Sequence, residues 1–239
     1  MSLLLDIGNT RFKWARLEDG RVQPGGAMAH GGAPAAAFYG LALPRADAVW
    51  VACVLDSSVQ AELARVIGEH FGFAPQFARV ERQREGLTVA YGDPSRLGVD
   101  RWLCMLALWH ELGRGFCVAS AGTALTFDAV DDGGEHLGGL IGPGLLTAQR
   151  AVLSSTSFEA SVQSAFTPGL GRDTSACVRQ GALHACAGMI QRAAQLGHGA
   201  QMLTGGDAPA LLPHLGGGWD WRPDLVLEGL ALLAQENRR

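Results

Sequence analysis

Among the nineteen basic residues of this 239-residue chain only one, Lys13, is lysine, and the other eighteen are arginine. A Walker A loop, G-x-x-x-x-G-K-[ST], is therefore excluded, because Lys13 follows Phe12 and not glycine. Positive charge is not in surplus either: 23 acidic residues leave a formal net charge of −4. No global field exists to hold nucleic acid or an anionic membrane surface. The chain has no stretch of ~20 apolar residues and no basic region ahead of the short run Leu3-Leu4-Leu5, which excludes a membrane-spanning helix and a signal peptide. The five cysteines are odd in number and form no C-x-x-C pair, so neither a disulfide framework nor a structural zinc site is expected. They read as buried thiols of a reducing compartment, and the cytoplasm is the expected location. The seven histidines are dispersed, without H-E-x-x-H or similar ligand spacing, and read as surface or core residues; G-x-S-x-G and G-x-G-x-x-G are also missing, which disfavours a serine hydrolase of the α/β type and a Rossmann dehydrogenase. What remains is a folded chain, 48% hydrophobic and 18% charged, long enough for one large domain or two small ones.

Its patterning favours two. The apolar run Leu3 to Ile7 predicts a strand, followed by a turn at Gly8-Asn9-Thr10, a second strand through Phe12, Trp14 and Leu17, a hairpin at Glu18-Asp19-Gly20 and a third strand near Val22. Helices are expected over Ala33 to Leu43, after a cap at Asp56, and from Trp102 to Leu112, with a buried strand over Ala48 to Val54. The opening order then returns: strand Phe116 to Ala119, turn Ser120 to Ala124, strand Leu125 to Val130, hairpin Asp131 to Gly134, strand Leu137 to Ile141. Gly8 and Gly122 are 114 residues apart, and Gly20 and Gly133 are 113 apart. Two similar α/β halves are inferred, 1–114 and 115–239, with a ligand cleft between them. The second half continues with a helix near Leu145, a serine- and threonine-rich loop, a long helix from Ala176, a short strand at Gln201 to Thr204 and a final helix opened by Pro223. Trp219 and Trp221 are expected to anchor that last helix.

Three places carry chemistry. In Asp6-x-Gly8-Asn9-Thr10 with Lys13, a glycine turn suits phosphate oxygens and a carboxylate can hold hydrated Mg²⁺, although the same residues also describe an ordinary capped hairpin. The matching turn at Gly122-Thr123 supplies a second phosphate loop. In Gly98-Val99-Asp100-Arg101, Asp100 can take a proton from an acceptor hydroxyl and Arg101 can steady an anion; a helix cap and a surface ion pair are the competing reading. Gly171-Arg172-Asp173-Thr174, ahead of the long helix, offers a hydroxyl and helix-start amides to a substrate carboxylate.

These segments, read as Leu5-Asp6-Ile7-Gly8-Asn9-Thr10-Arg11-Phe12-Lys13-Trp14, Gly98-Val99-Asp100-Arg101-Trp102, Gly122-Thr123-Ala124 and Gly138-Gly139-x-Ile141-x-Pro143-Gly144, resemble type III pantothenate kinase. The resemblance spans nearly the whole chain. It implies an α/β fold of two ribonuclease H-like domains, as in the actin-like ATPases, with a nucleotide cleft between them. It implies transfer of the ATP γ-phosphate to pantothenate, the first step towards coenzyme A. By the same resemblance, Asp6, Ile7, Gly8, Asn9, Thr10, Arg11, Phe12, Lys13 and Thr123 bind ATP, Asp6 lies near Mg²⁺, and Asp100 is the general base. Tyr91, Gly98, Val99, Asp100, Arg101 and Thr174 line the pantothenate site, at the interface of a homodimer.

At one position the chain departs from the family. An aspartate that binds K⁺ or NH₄⁺ usually stands two residues before the glycine of the second loop, and here that residue is Ser120, a weaker cation ligand. Weakened or absent dependence on K⁺ or NH₄⁺ is expected, unless Asp128 on the following strand compensates. Two other readings stay open: a nucleotide-binding regulatory protein and a phosphohydrolase of the same superfamily.

Overall fold

The computed structural model describes residues 1–163, 165–166 and 169–236. Ser164, Thr167 and Pro168 of the expected serine- and threonine-rich loop lie outside the described residues, as do the last three positions of the expected second half. The chain forms two compact units. The first comprises Met1–Arg84, Tyr91–Glu111 and the segment from Asp224; the second comprises Glu85–Ala90 and Leu112–Pro223. A single cut at 114/115 is thus corrected at two places, each with a visible cause. Thr88 donates its amide to the Gly134 carbonyl (2.9 Å) and Ala90 donates to His136 Nδ1 (3.4 Å), which ties that short segment to the second unit. The last helix packs on the first unit so closely that a Cβ on Gly229 would overlap the Leu103 carbonyl.

In the first unit β1 (Ser2–Ile7), β2 (Arg11–Glu18), β3 (Arg21–Ala29), β4 (Ala48–Cys53) and β5 (Gln76–Phe77) make a sheet of order β3-β2-β1-β4-β5, with α1 (Pro34–Phe38), α2 (Ser57–Phe71) and α3 (Val99–Leu112). β1 is antiparallel to β2 and parallel to β4. Leu3, Leu4, Leu5 and Ile7 are all fully buried, which is why Leu3-Leu4-Leu5 does not alternate with polar residues. α2 begins where expected: Asp56 accepts from the amides of Ser58 (2.9 Å) and Val59 (3.1 Å), and Gly72 ends the helix with φ 80°. Its Leu63, Val66 and Ile67 complete a core with Phe12, Phe38 and Val51. α1 is shorter than its apolar spacing predicts, since Gly40 breaks the pattern. β3 is longer, and its Pro24 is tolerated because the strand is an edge.

Two short strands, β6 (Gln83–Arg84) and β7 (Leu87–Thr88), lie where the chain leaves the first unit. In the second unit β8 (Phe116–Ala121), β9 (Ala124–Val130), β10 (His136–Pro143), β11 (Ala200–Thr204) and β12 (Trp219–Trp221) repeat the arrangement as β10-β9-β8-β11-β12, with α4 (Leu145–Ser154), α5 (Thr174–Ala194) and α6 (Ala208–Leu211). β8 is antiparallel to β9 and parallel to β11, as β1 is to β2 and β4. Trp219 corrects an expectation: it pairs on β12 and enters the second unit's core, whereas the final helix, α7 (Leu225–Glu236), belongs to the first unit. Among the described residues no helix is long and apolar enough to cross a membrane.

Candidate active site

The first loop is the turn between β1 and β2. The Gly8 amide donates to the Arg11 carbonyl (3.0 Å), so this amide closes the turn, and Asn9, Thr10 and Arg11 are exposed on it. Ile7 and Phe12 flank the turn with side chains buried in the core; any ligand contact at these two positions falls to the backbone. His30, one of the dispersed histidines, fastens the loop. Its Nδ1 accepts from the Gly32 amide (3.2 Å), which leaves the proton on Nε2 to donate to the Gly8 carbonyl (3.0 Å). Its own amide donates to the Thr10 carbonyl (3.1 Å), and its ring meets Phe12 edge to face at 5.7 Å. No motif announces this residue, because it reaches the loop from the far end of β3.

Asp6 stands directly across from Lys13 in the β1–β2 register, which puts a carboxylate and an ammonium side by side on one sheet face. Burial and the nearby Asp100 carboxylate push Asp6 up to about 7 from its ordinary 3.8, and Lys13 only partly offsets them. A pair of carboxylates held this close favours a cation. Lys13 Nζ also lies 3.6 Å from Asp224 Oδ1, a partner that follows from the docking of α7 and from no local pattern. Asp100 is in the first turn of α3, and its Oδ1 accepts from the Arg101 amide (2.8 Å). A Cβ on Gly98 would lie 2.6 Å from that oxygen, so Gly98 gives the carboxylate room. Val99 is buried. Arg101 is buried as well, and its Nη1 donates to the Tyr91 hydroxyl (3.0 Å). Arg101 is therefore not the surface residue that the competing reading expects.

Asp6, Lys13, Tyr91, Gly98, Val99, Asp100 and Arg101 all belong to the first unit, and Thr123 and Thr174 belong to the second. The second loop repeats the first: the Gly122 amide donates to the Ala124 carbonyl (3.0 Å) and Thr123 is exposed. The Thr123 carbonyl accepts from the Gly144 amide (3.1 Å) and from the Thr147 hydroxyl (2.6 Å), which binds the loop to the start of α4. Thr174 is the exposed first residue of α5. The Asp173 carboxylate caps that helix by accepting from the Ala176 amide (2.8 Å), so one of the helix-start amides expected to meet a substrate carboxylate is already engaged. Ser120 pairs with Thr126 on β9 and Thr204 on β11, which lines up three neutral hydroxyls on one sheet face. Asp128, the other candidate, is on β9. It is buried, and its Oδ1 accepts from His136 Nε2 at 3.0 Å.

A prediction follows from Asp6. The folded chain keeps this proton to about pH 7, whereas the unfolded chain releases it near 3.8. Between those values the folded state binds more protons, so stability falls as pH rises through the window and levels off above it. Thermal melting of the ligand-free protein without Mg²⁺ should show this decline, and Asp6→Asn should flatten it. An unchanged slope in the variant would assign the dependence to another group.

The family model described as type III pantothenate kinase matches residues 2–196. The chain belongs to the type III pantothenate kinase family. A type III pantothenate kinase of Nitrosococcus oceani is 34% identical over 254 residues, covering 100% of this chain and 96% of its own length. Among solved structures, a Campylobacter jejuni protein described as a Baf family transcriptional activator matches with a TM-score of 0.65 at 19% identity, covering 99% and 98% of the two chains. A ROK family glucokinase from Streptomyces griseus matches with a TM-score of 0.51 at 13% identity, covering 98% and 99%. The fold is therefore the α/β fold of the actin-like ATPases, two ribonuclease H-like domains with the sheet orders given above. The family is one of kinases that use ATP to phosphorylate pantothenate, the first step in coenzyme A biosynthesis.

Proposed function

We propose that this chain transfers the γ-phosphoryl group of ATP to the primary hydroxyl of pantothenate in the cytoplasm, with Asp100 as the proton acceptor. The observation that carries the residue assignment is the grouping of Asp6, Lys13 and Asp100 in one electrostatic neighbourhood, at the end of β1, on β2 and at the start of α3. Asp6 offers a carboxylate to a hydrated Mg²⁺. Mg²⁺ is commonly held by one or two carboxylates together with substrate phosphates and water. Mg²⁺, when bound with nucleotide, neutralises phosphate charge. Lys13 and the exposed Asn9, Thr10 and Arg11 orient the phosphates, and Thr123 adds a contact from the second loop. Asp100 accepts the proton of the pantothenate hydroxyl as its oxygen bonds to the γ-phosphorus and the bond to ADP breaks in line. Tyr91, Gly98, Val99 and Arg101 bind the acceptor, joined by Thr174 of a second copy in a homodimer.

The three hydroxyls of Ser120, Thr126 and Thr204 support a kinase that needs neither K⁺ nor NH₄⁺. ADP formation with Mg²⁺ should require pantothenate and change little when a bulky organic cation replaces K⁺. A sharp rise with K⁺ would overturn the cation assignment. Phosphate release without pantothenate would favour a hydrolase instead.

A further inference from the structure

Two carbonyls of the first loop, those of Gly8 and Thr10, are turned onto His30. The imidazole Nε2 donates to the Gly8 carbonyl (3.0 Å), and the His30 amide donates to the Thr10 carbonyl (3.1 Å). Carbonyl oxygens repel phosphate oxygens, so a loop that cradles phosphates has to keep its carbonyls aside and its amides forward. A carbonyl that accepts from His30 is one the phosphates do not meet.

The imidazole is fixed before any nucleotide arrives. It is buried, it meets Phe12 edge to face at 5.7 Å, and its Nδ1 accepts from the Gly32 amide at 3.2 Å. That last bond needs a sharp return of the chain just after β3, and Gly31 and Gly32 supply it with φ of 58° and 86°, values that residues with a Cβ rarely adopt. The Ala33 amide closes the turn on the His30 carbonyl (2.9 Å). With Nδ1 occupied as an acceptor, the ring proton is on Nε2, the atom that faces Gly8. The second loop follows the same plan with different residues: its Thr123 carbonyl accepts from the Gly144 amide and the Thr147 hydroxyl. In each unit, donors from beyond the loop hold a loop carbonyl.

We infer that His30 is a positioning residue for the nucleotide, holding the Gly8 carbonyl away from the phosphates so that the loop amides meet them. The assignment rests on the ATP reading of this loop and adds to it a residue from outside the loop. The bond from the His30 amide to Thr10 is backbone and survives side-chain substitution, so the imidazole's own share is the Gly8 carbonyl.

His30→Asn and His30→Gln separate the two ring contacts. Asparagine can still accept from the Gly32 amide, as such side chains do two residues on in a turn, but it is too short to reach Gly8. Glutamine carries its amide donor to about the place of Nε2. In the asparagine variant, KM for ATP and the calorimetric Kd of a non-hydrolysable ATP analogue with Mg²⁺ should both rise about threefold to tenfold, the worth of one hydrogen bond. KM for pantothenate should stay close to wild type, and glutamine should recover most of the loss. A purely structural role would lower the amount of folded protein and leave the constants of the folded fraction unchanged. An unchanged Kd in the asparagine variant, equal rises in both KM values, or a glutamine variant no better than asparagine overturns the assignment. Should the asparagine variant fail to fold, NMR of wild type labelled at histidine nitrogen decides. The Nε2–H signal of His30, assigned by its loss in His30→Gln, should move with the ATP analogue and not with pantothenate alone; a signal that ignores nucleotide overturns the assignment. A wild type that binds the analogue and makes no phosphopantothenate contradicts the kinase reading, and the Kd comparison still decides the role of His30.

Discussion

Asp100→Asn lowers kcat for pantothenate phosphorylation by about 10² to 10⁴-fold, the usual contribution of a positioned proton acceptor. Asparagine has nearly the shape of aspartate, and its side-chain oxygen can still accept from the Arg101 amide as Asp100 Oδ1 does at 2.8 Å. The start of α3 should therefore persist, and melting should show a folded variant. What disappears is the proposed proton acceptor. A second effect accompanies it: the Asp100 charge helps to hold the Asp6 carboxyl up near 7, so the variant should bring Asp6 back towards its ordinary range. Steady-state kinetics with pantothenate and ATP varied separately will separate this loss from a binding defect. A kcat close to wild type would assign the proton to another acceptor.

Gly144→Ala should damage stability and nucleotide binding together. A Cβ at this position would overlap the Gly122 carbonyl oxygen and lie only 3.1 Å from the Thr123 oxygen. Both obstacles are backbone, and neither can retreat without disturbing the Gly144 amide's bond to Thr123 or the Thr147 hydroxyl's bond to the same oxygen. Overpacking of this kind costs about 1–3 kcal/mol and sometimes more, which lowers Tm by several degrees in a chain of this size. Thr123 shifts with the loop, so KM for ATP should rise while KM for pantothenate moves less. Gly181→Ala is the control. That glycine lies within α5, where an added methyl would meet nothing within 4 Å, and the change should stabilise the helix by up to about 1 kcal/mol. Equal behaviour of the two variants would contradict the close-packed loop.

Much of this architecture is legible in the residues themselves. Gly8 and Gly122 mark equivalent turns, and the spacing between them anticipates two sheets with the same strand order. The Asp56 cap and the Gly72 stop of α2 are readable because both act within a turn of helix. Long-range packing hides the rest. Nothing near Gly229 announces that α7 returns to the first unit, since the reason is the shape of α3 at Leu103. Without that docking Asp224 is an ordinary acid 211 positions from Lys13. His30 is a similar case: it fastens the first loop from the end of β3. Asp128 shows the converse, a carboxylate that sequence leaves available for a cation and that the fold commits to His136.

The most direct test of the account is to incubate purified protein with Mg²⁺, ATP and pantothenate and to measure both products by mass spectrometry. The account predicts 4′-phosphopantothenate and ADP appearing in equal amounts, with neither accumulating when pantothenate is omitted. ADP and inorganic phosphate without phosphopantothenate, or no turnover at all from folded protein, would contradict it.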